Sequence, residues 1–222
     1  LKRACIPEEK IIVTGSPRHD YFFQTLSIKN SKKTILILPH PIINSDGNCL
    51  MDLYHKYEKT LECLFAILNK IPEIKIVVKL HPSQVYHNNL LKSKIKQINP
   101  AVKIYHSTFA IDHLKSCDAA IFISPDFYPS TSMLESFILQ KPTMEIFLSE
   151  FVPNFEYIKD NSGLFVLSDM NLEKNINDLL FDEKIRNKLI SNANNHVARY
   201  LVNHGKSSEY LAGRSEEHTS EL

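Results

Sequence analysis

Two periods alternate in the distribution of apolar residues along the chain. Short apolar runs rich in β-branched residues lie at 34–38 (TILIL), 74–80 (IKIVVKL), 102–105, 119–123, 143–147 and 163–167. Between them apolar residues recur at steps of three and four, most clearly at Leu53, Tyr57, Leu61, Leu64, Phe65 and Leu68. The first spacing is that of strands, the second that of helices packed on one side. The pattern predicts strands over those six runs. It predicts helices over 50–70, 87–97, 110–116, 131–139, 171–181 and 183–200, with 207–211 extending the last. A further short strand is expected at 10–14, stopped by Gly15-Ser16-Pro17. Residues 27–33 (SIKNSKK) read as a linker. The continuous IKIVVKL run suits a strand covered on both faces. Strand and helix in alternation predict an α/β fold, a Rossmann-like doubly wound parallel sheet.

Such sheets bind ligands outside the carboxyl ends of their strands. The loops of interest are therefore Pro39-His40-Pro41, His81-Pro82-Ser83, His106-Ser107-Thr108 and residues 124–132. In the last, Ser130, Thr131 and Ser132 open a predicted helix. Free backbone N–H groups and the positive end of the helix dipole make such a terminus an anion site, and three hydroxyls add donors. The same residues fit a capping box in which Ser132 caps and Glu135 reaches back. Both can hold together if one hydroxyl caps and the others bind. Glu135 suits a ribose diol, or it simply complements the dipole. His81 ends a buried-looking strand, a place for a phosphate contact or an acid, or for a loop histidine bonded to backbone. Lys79 shares its face by strand alternation. His40 repeats the His-Pro arrangement after the neighbouring strand. Phe22 and Phe23 read as core or domain-interface packing.

Composition narrows the classes. Hydrophobic residues at 43%, charged residues at 23% and a net charge of +1 describe an ordinary soluble globular protein with no pull toward nucleic acid. No apolar run approaches the ~18 residues of a membrane span, and nothing resembles a signal peptide. The four cysteines lack ligand spacing and read as free thiols in a reducing compartment. The ten histidines make no metal-ligand spacing. There is no Gly-rich dinucleotide loop, no Walker A sequence and no Gly-x-Ser-x-Gly elbow, which argues against nicotinamide enzymes, P-loop NTPases and serine hydrolases. The chain opens on Leu1, and its tail 214–222 (RSEEHTSEL) is polar throughout. That tail reads as a non-native, adapter-derived segment.

Four motifs fall in a telling order: VTGSPRHD (13–20), KLHPS (79–83), LKSCDAAIF (114–122) and STSMLESFILQKP (130–142). Over about residues 11–211 the chain resembles the carboxyl-terminal half of GT-B-type glycosyltransferases. It is most similar to the CDP-glycerol glycerophosphotransferases and the bacterial sialyl- and polysialyltransferases of capsule and cell-envelope polysaccharide synthesis. More distantly it resembles UDP-N-acetylglucosamine 2-epimerases and UDP-sugar transferases. The resemblance implies that residues 1–30 are the end of a missing amino-terminal domain plus linker, and that 31–213 form a nucleotide-donor-binding domain. It makes His81 a catalytic residue and a donor-phosphate contact together with Ser130, Thr131 and Ser132. It makes Glu135 the ribose contact and puts His40, Lys79, Gly15 and Arg18 in the cleft.

The implied partners are a nucleotide-sugar or CDP-polyol donor and a glycan acceptor, with no nucleic acid. No cofactor or metal is expected, because the activated donor is a substrate. The base that activates the acceptor would lie in the missing domain, leaving this chain inactive alone. The implied location is the cytoplasm, with peripheral association at the inner face of the cell membrane. A UDP-N-acetylglucosamine 2-epimerase-like reaction and a nucleotide-binding module without chemistry are the alternatives. Two departures stand out. Gln140 occupies a position where the family often has Gly, and Pro125-Asp126-Phe127-Tyr128-Pro129 is longer than the usual Ser-Ser turn.

Overall fold

Ile35 and Ile37 contribute to one apolar cluster, while Leu36 and Leu38 contribute to a second. Successive side chains of a strand point to opposite faces, so a fully apolar strand needs a helix layer on each side. The computed structural model, which describes residues 11–28, 30–40, 51–82, 85–125, 130–168 and 171–220, supplies both layers. Its strands are β1 (Thr34–Pro39), β2 (Lys75–Lys79), β3 (Lys103–Tyr105), β4 (Ala119–Ser124), β5 (Thr143–Phe147) and β6 (Leu164–Leu167). They form one parallel sheet in the order β3-β2-β1-β4-β5-β6.

The helices are α1 (Pro17–Gln24), α2 (Met51–Leu68), α3 (Val85–Ile98), α4 (Ala110–Leu114), α5 (Thr131–Ile138), α6 (Glu156–Lys159), α7 (Leu172–Phe181), α8 (Glu183–Tyr200) and α9 (Ser207–Ser220). Helices α2, α3 and α7 cover the face that bears Ile35, Val78 and Ile121. Helices α1, α4, α5 and α6 cover the face that bears Leu36, Val77 and Phe122. Helix α8 reaches both clusters, through Leu189 on one side and Ala193 and Val197 on the other. The strand order reverses direction between β1 and β4, which makes their carboxyl ends the topological switch point where such sheets bind ligands.

The six predicted core strands are present, each within a residue or so of its expected limits. One predicted element is absent among the described residues. Residues 11–14 form no strand, and the chain instead enters α1 at Pro17. Proline at the first helical position has its φ preset and lacks only an N–H that the helix would leave unpaired. Gly15-Ser16-Pro17 is thus a helix start as well as a turn. Helix α6 also went unforeseen, because one turn is too short to display a period. Lys10, Pro41, residues 44–48, Ser83, and Asp126 to Pro129 lie outside the described residues.

Helix α5 ends in a Schellman motif. The Gln140 N–H donates to the Phe137 carbonyl at 2.9 Å and the Lys141 N–H to the Ser136 carbonyl at 2.9 Å. This geometry holds Gln140 at a φ of 56°, the left-handed region that only glycine enters without penalty. Glycine would meet this demand without strain. Gln140→Gly is accordingly expected to raise stability by about 1 kcal/mol, measured as a higher urea midpoint. An unchanged midpoint would show that the side chain makes up the backbone cost. Lys141 then folds beneath the helix, and its Nζ donates to the carbonyls of Cys117 (2.9 Å) and Lys115 (3.3 Å) just past α4.

Candidate functional site

The residues of interest gather at the carboxyl edge of the sheet in two groups. The first is built on α5. Ser130 is its N-cap but makes no side-chain capping bond, so the expected Ser132–Glu135 capping box does not form. Instead the Ser132 hydroxyl donates to the Glu135 carboxylate. The hydroxyls of Ser130 and Ser132 stand half-buried and that of Thr131 exposed at the helix start. Capping therefore does not account for the hydroxyl cluster, and the donors of this terminus remain available for an anion.

Arg18, the second residue of α1, reaches across to this terminus. Its Nη2 donates to Glu135 Oε1 at 3.2 Å and lies 3.5 Å from Thr131 Oγ1. The Glu135 side chain is 5% exposed and that of Arg18 is 65% exposed. Burial pushes the Glu135 carboxyl above its usual range, with Arg18 and Ser132 pulling the other way. A guanidinium thus rests at the start of α5, held by the carboxylate expected to take a ribose.

The Gly-Ser-Pro-Arg-His-Asp stretch explains how Arg18 is placed. Asp20 accepts from the backbone N–H groups of Ser207 (3.0 Å) and Ser208 (2.7 Å) and from the Ser208 hydroxyl (2.7 Å). Burial alone would raise its pKa, but these hydrogen bonds hold it below the usual carboxylate range. Asp20 is thus the cap of α9. Gly15 has a φ of 89°, and a Cβ there would come within 2.4 Å of Val202 O and Ser207 Oγ. Gly15 serves this packing between α1 and the α8–α9 turn. The His19 Nδ1 pairs with Ser16 Oγ at 2.7 Å.

The second group sits at the ends of β1 and β2. The His40 N–H donates to Ile123 O at 2.9 Å, and its ring meets Phe122 edge-on at 6.1 Å. Burial, and then the charge of His81, push His40 down to about 4, so its imidazole is neutral at pH 7. His81 is exposed, and burial of its ring and the charge of Lys79 lower its pKa. Asn88 of α3 donates to the His81 carbonyl at 2.6 Å and pins the His-Pro loop to the helix behind it. Lys79 is buried, and its Nζ donates to Leu80 O (2.6 Å) and His106 O (3.2 Å). That cation braces the ends of β2 and β3 while adding positive potential beside His81.

Two residues escaped the sequence reading. Phe109, after β3, leaves 79% of its surface exposed at this same edge, a rare position for a phenyl ring. Glu145 lies fully buried inside β5. The one signal for it was a lone carboxylate in an apolar strand (TMEIF). Among the described residues no group of three or more His, Cys, Asp or Glu could hold a metal ion. No described helix is long and apolar enough to cross a membrane.

No protein-family model matches the chain, and no curated protein matches it in sequence. Solved structures do match in shape. A protein from Listeria monocytogenes assigned as a UDP-N-acetylglucosamine 2-epimerase aligns over 100% of this chain and 57% of its own, with a TM-score of 0.66 and 15% identity. S. aureus MnaA in complex with UDP aligns over 97% of this chain and 56% of its own (TM-score 0.63, 14% identity). The fold is that of GT-B proteins. The spinosyn rhamnosyltransferase SpnG, complexed with thymidine diphosphate, aligns over 91% of this chain and 50% of its own (TM-score 0.54, 13% identity). The chain therefore spans little more than half the length of these GT-B neighbours. At such identities the likeness concerns the fold.

Proposed function

We propose that this chain supplies the donor-binding half of a transferase that moves a sugar or polyol phosphate from a nucleotide-activated donor, CMP/CDP- or UDP-linked, to a bacterial surface polysaccharide. The observation that carries this reading is the α5 N-terminus, where the Ser130 hydroxyl, free of any capping bond, and the Arg18 guanidinium on Thr131 meet beside the topological switch point. A diphosphate there would gain helix N–H groups, hydroxyls and one fixed cation without a metal. Arg18 would turn from Glu135 to the phosphates and leave the carboxylate to the ribose diol. His81 would stabilise charge on the leaving group, an electrostatic contribution. Phe109 offers a flat apolar surface for the base. The acceptor, and the base that activates it, would be held by residues other than those of this donor site. The setting is the cytoplasm or the inner face of the cell membrane.

Calorimetric titration of the chain with CMP, CDP, UDP and GDP tests the reading and selects the base. His81→Ala and Ser130→Ala should each weaken the preferred nucleotide by roughly threefold to tenfold, the worth of one hydrogen bond. Unchanged affinity in both variants would sink the assigned site. A second reading is a UDP-N-acetylglucosamine 2-epimerase, favoured by the 0.66 TM-score of the Listeria protein. Conversion of UDP-N-acetylglucosamine by the complete protein without glycan elongation would decide for it.

A further inference from the structure

Beneath the donor site lies a carboxyl group that the proposed chemistry does not use. Glu145 is 0% exposed, in the middle of β5, between Phe122 of β4 and Phe165 of β6 in the sheet register. Its Oε1 accepts from the Ser124 hydroxyl at 2.6 Å, and its Oε2 accepts from the Tyr157 hydroxyl at 3.1 Å. Ser124 is the last residue of β4, immediately before the segment that leads to Ser130 and α5. Tyr157 belongs to α6, and its ring packs against Phe137 of α5 at 6.1 Å. One carboxyl group thus ties together the strand that enters the donor loop and, through Tyr157, the underside of the helix that leaves it.

We infer that Glu145 is a positioning residue for the donor-phosphate site, whose ionisation places a negative charge in the core behind α5 and weakens binding of a nucleotide diphosphate donor. The inference rests on the donor-site reading above. Among the described residues no ion pair engages the carboxylate, whose partners are the Ser124 and Tyr157 hydroxyls. The titratable side chain bonded to it is Tyr157 of α6, whose ring meets that of His196 of α8. The latter is bonded to Asp160, which also pairs with Arg199. On α5, Glu135 is already engaged by Arg18. Burial pushes the Glu145 carboxyl up to about 7, against the pull of the Ser124 and Tyr157 hydrogen bonds. Tyr157, raised in turn by burial and by Glu145, stays protonated. A charge in so apolar a place is poorly screened from phosphates above it.

The test is calorimetric titration of this chain and its Glu145→Gln variant from about pH 6 to about pH 8.5, spanning the ionisation. The probe is UDP-N-acetylglucosamine or, if the nucleotide titrations select cytidine, CDP-glycerol. Neither diphosphate changes charge over that range. Glutamine keeps an acceptor for Ser124 and a polar partner for Tyr157 but cannot ionise. Wild-type affinity should fall about fivefold across the range, a modest coupling between adjacent sites, while the variant keeps its low-pH affinity throughout. Ser124→Ala, which removes one tie but not the charge, should keep a fall in affinity with pH, displaced to higher pH because the Ser124 hydrogen bond holds the carboxyl down. Parallel pH profiles for wild type and Glu145→Gln would overturn the role of Glu145 and leave the donor site standing. Absence of binding by either protein at every pH would instead overturn the donor site itself, and the inference with it.

Discussion

Arg18→Ala is expected to weaken binding of the preferred nucleotide diphosphate by roughly tenfold to a hundredfold, the worth of a charge-assisted hydrogen bond. Calorimetry of wild type and variant reads it directly. The prediction follows from placement: the guanidinium lies at the start of α5, on the Thr131 hydroxyl, and most of its surface is free. The structure also offers the opposite outcome. If Arg18 serves only to lock Glu135, its removal frees the carboxylate, and affinity rises or stays the same. A gain would therefore refute the phosphate role.

Stability supplies an independent reading of the same contact. The pair joins an exposed guanidinium to a buried carboxylate, so the cost of losing Arg18 once Glu135 is ionised should exceed the ~0–1 kcal/mol of a fully exposed pair. Its pH dependence has a definite sign. Arg18 favours the ionised form of Glu135 against burial, so its loss raises that carboxyl further. In acid, Glu135 is protonated in both proteins and there is no ion pair to lose. As pH rises through its titration, only the variant must bury an uncompensated charge. The gap in melting temperature should accordingly widen from acid to alkaline pH. A constant gap would mean that the contact seen between Arg18 and Glu135 carries no energy.

Phe137→Ala should produce the largest loss of stability, about 3–5 kcal/mol, measured by urea denaturation. The Phe137 side chain is fully buried, and its ring lies 6.1 Å from Tyr157 and 6.0 Å from His196. It holds α5 against both α6 and α8, so the cavity opens where three helices meet and cannot close by moving one of them. Because α5 also carries the hydroxyls, donor affinity should fall alongside stability. A loss below about 1 kcal/mol would show that the three helices collapse around the gap.

Much of the architecture was legible in the amino-acid order, for a simple reason. Six apolar runs alternate with helical periods, and a strand apolar at every position demands cover on both faces. That was enough to expect a doubly wound sheet and to direct attention to His40, His81 and Ser130 to Ser132. At the α5 terminus the capping box that the spacing allowed does not form. Local spacing suggested Ser132 as the cap, whereas the N-cap is Ser130, two residues earlier, and Glu135 turns to Arg18. Helix α1 was hidden because Gly15-Ser16-Pro17 signals a turn and a helix start with equal force.

The sequence by itself determined the layers, the strands and the loops that end them, since each depends on a period of two or about four residues within one short segment. Only the tertiary structure decided which distant side chains share a site. Strand β1 lies between β2 and β4, and this order brings His40 beside His81 and sets Ser124 against Glu145. The docking of α1 on α5 and α9 brings Arg18 to Glu135, 117 positions away, while Asp20 caps a helix nearly the whole chain length distant. Such meetings depend on how finished elements pack, and no local pattern of hydrophobic and polar residues records that.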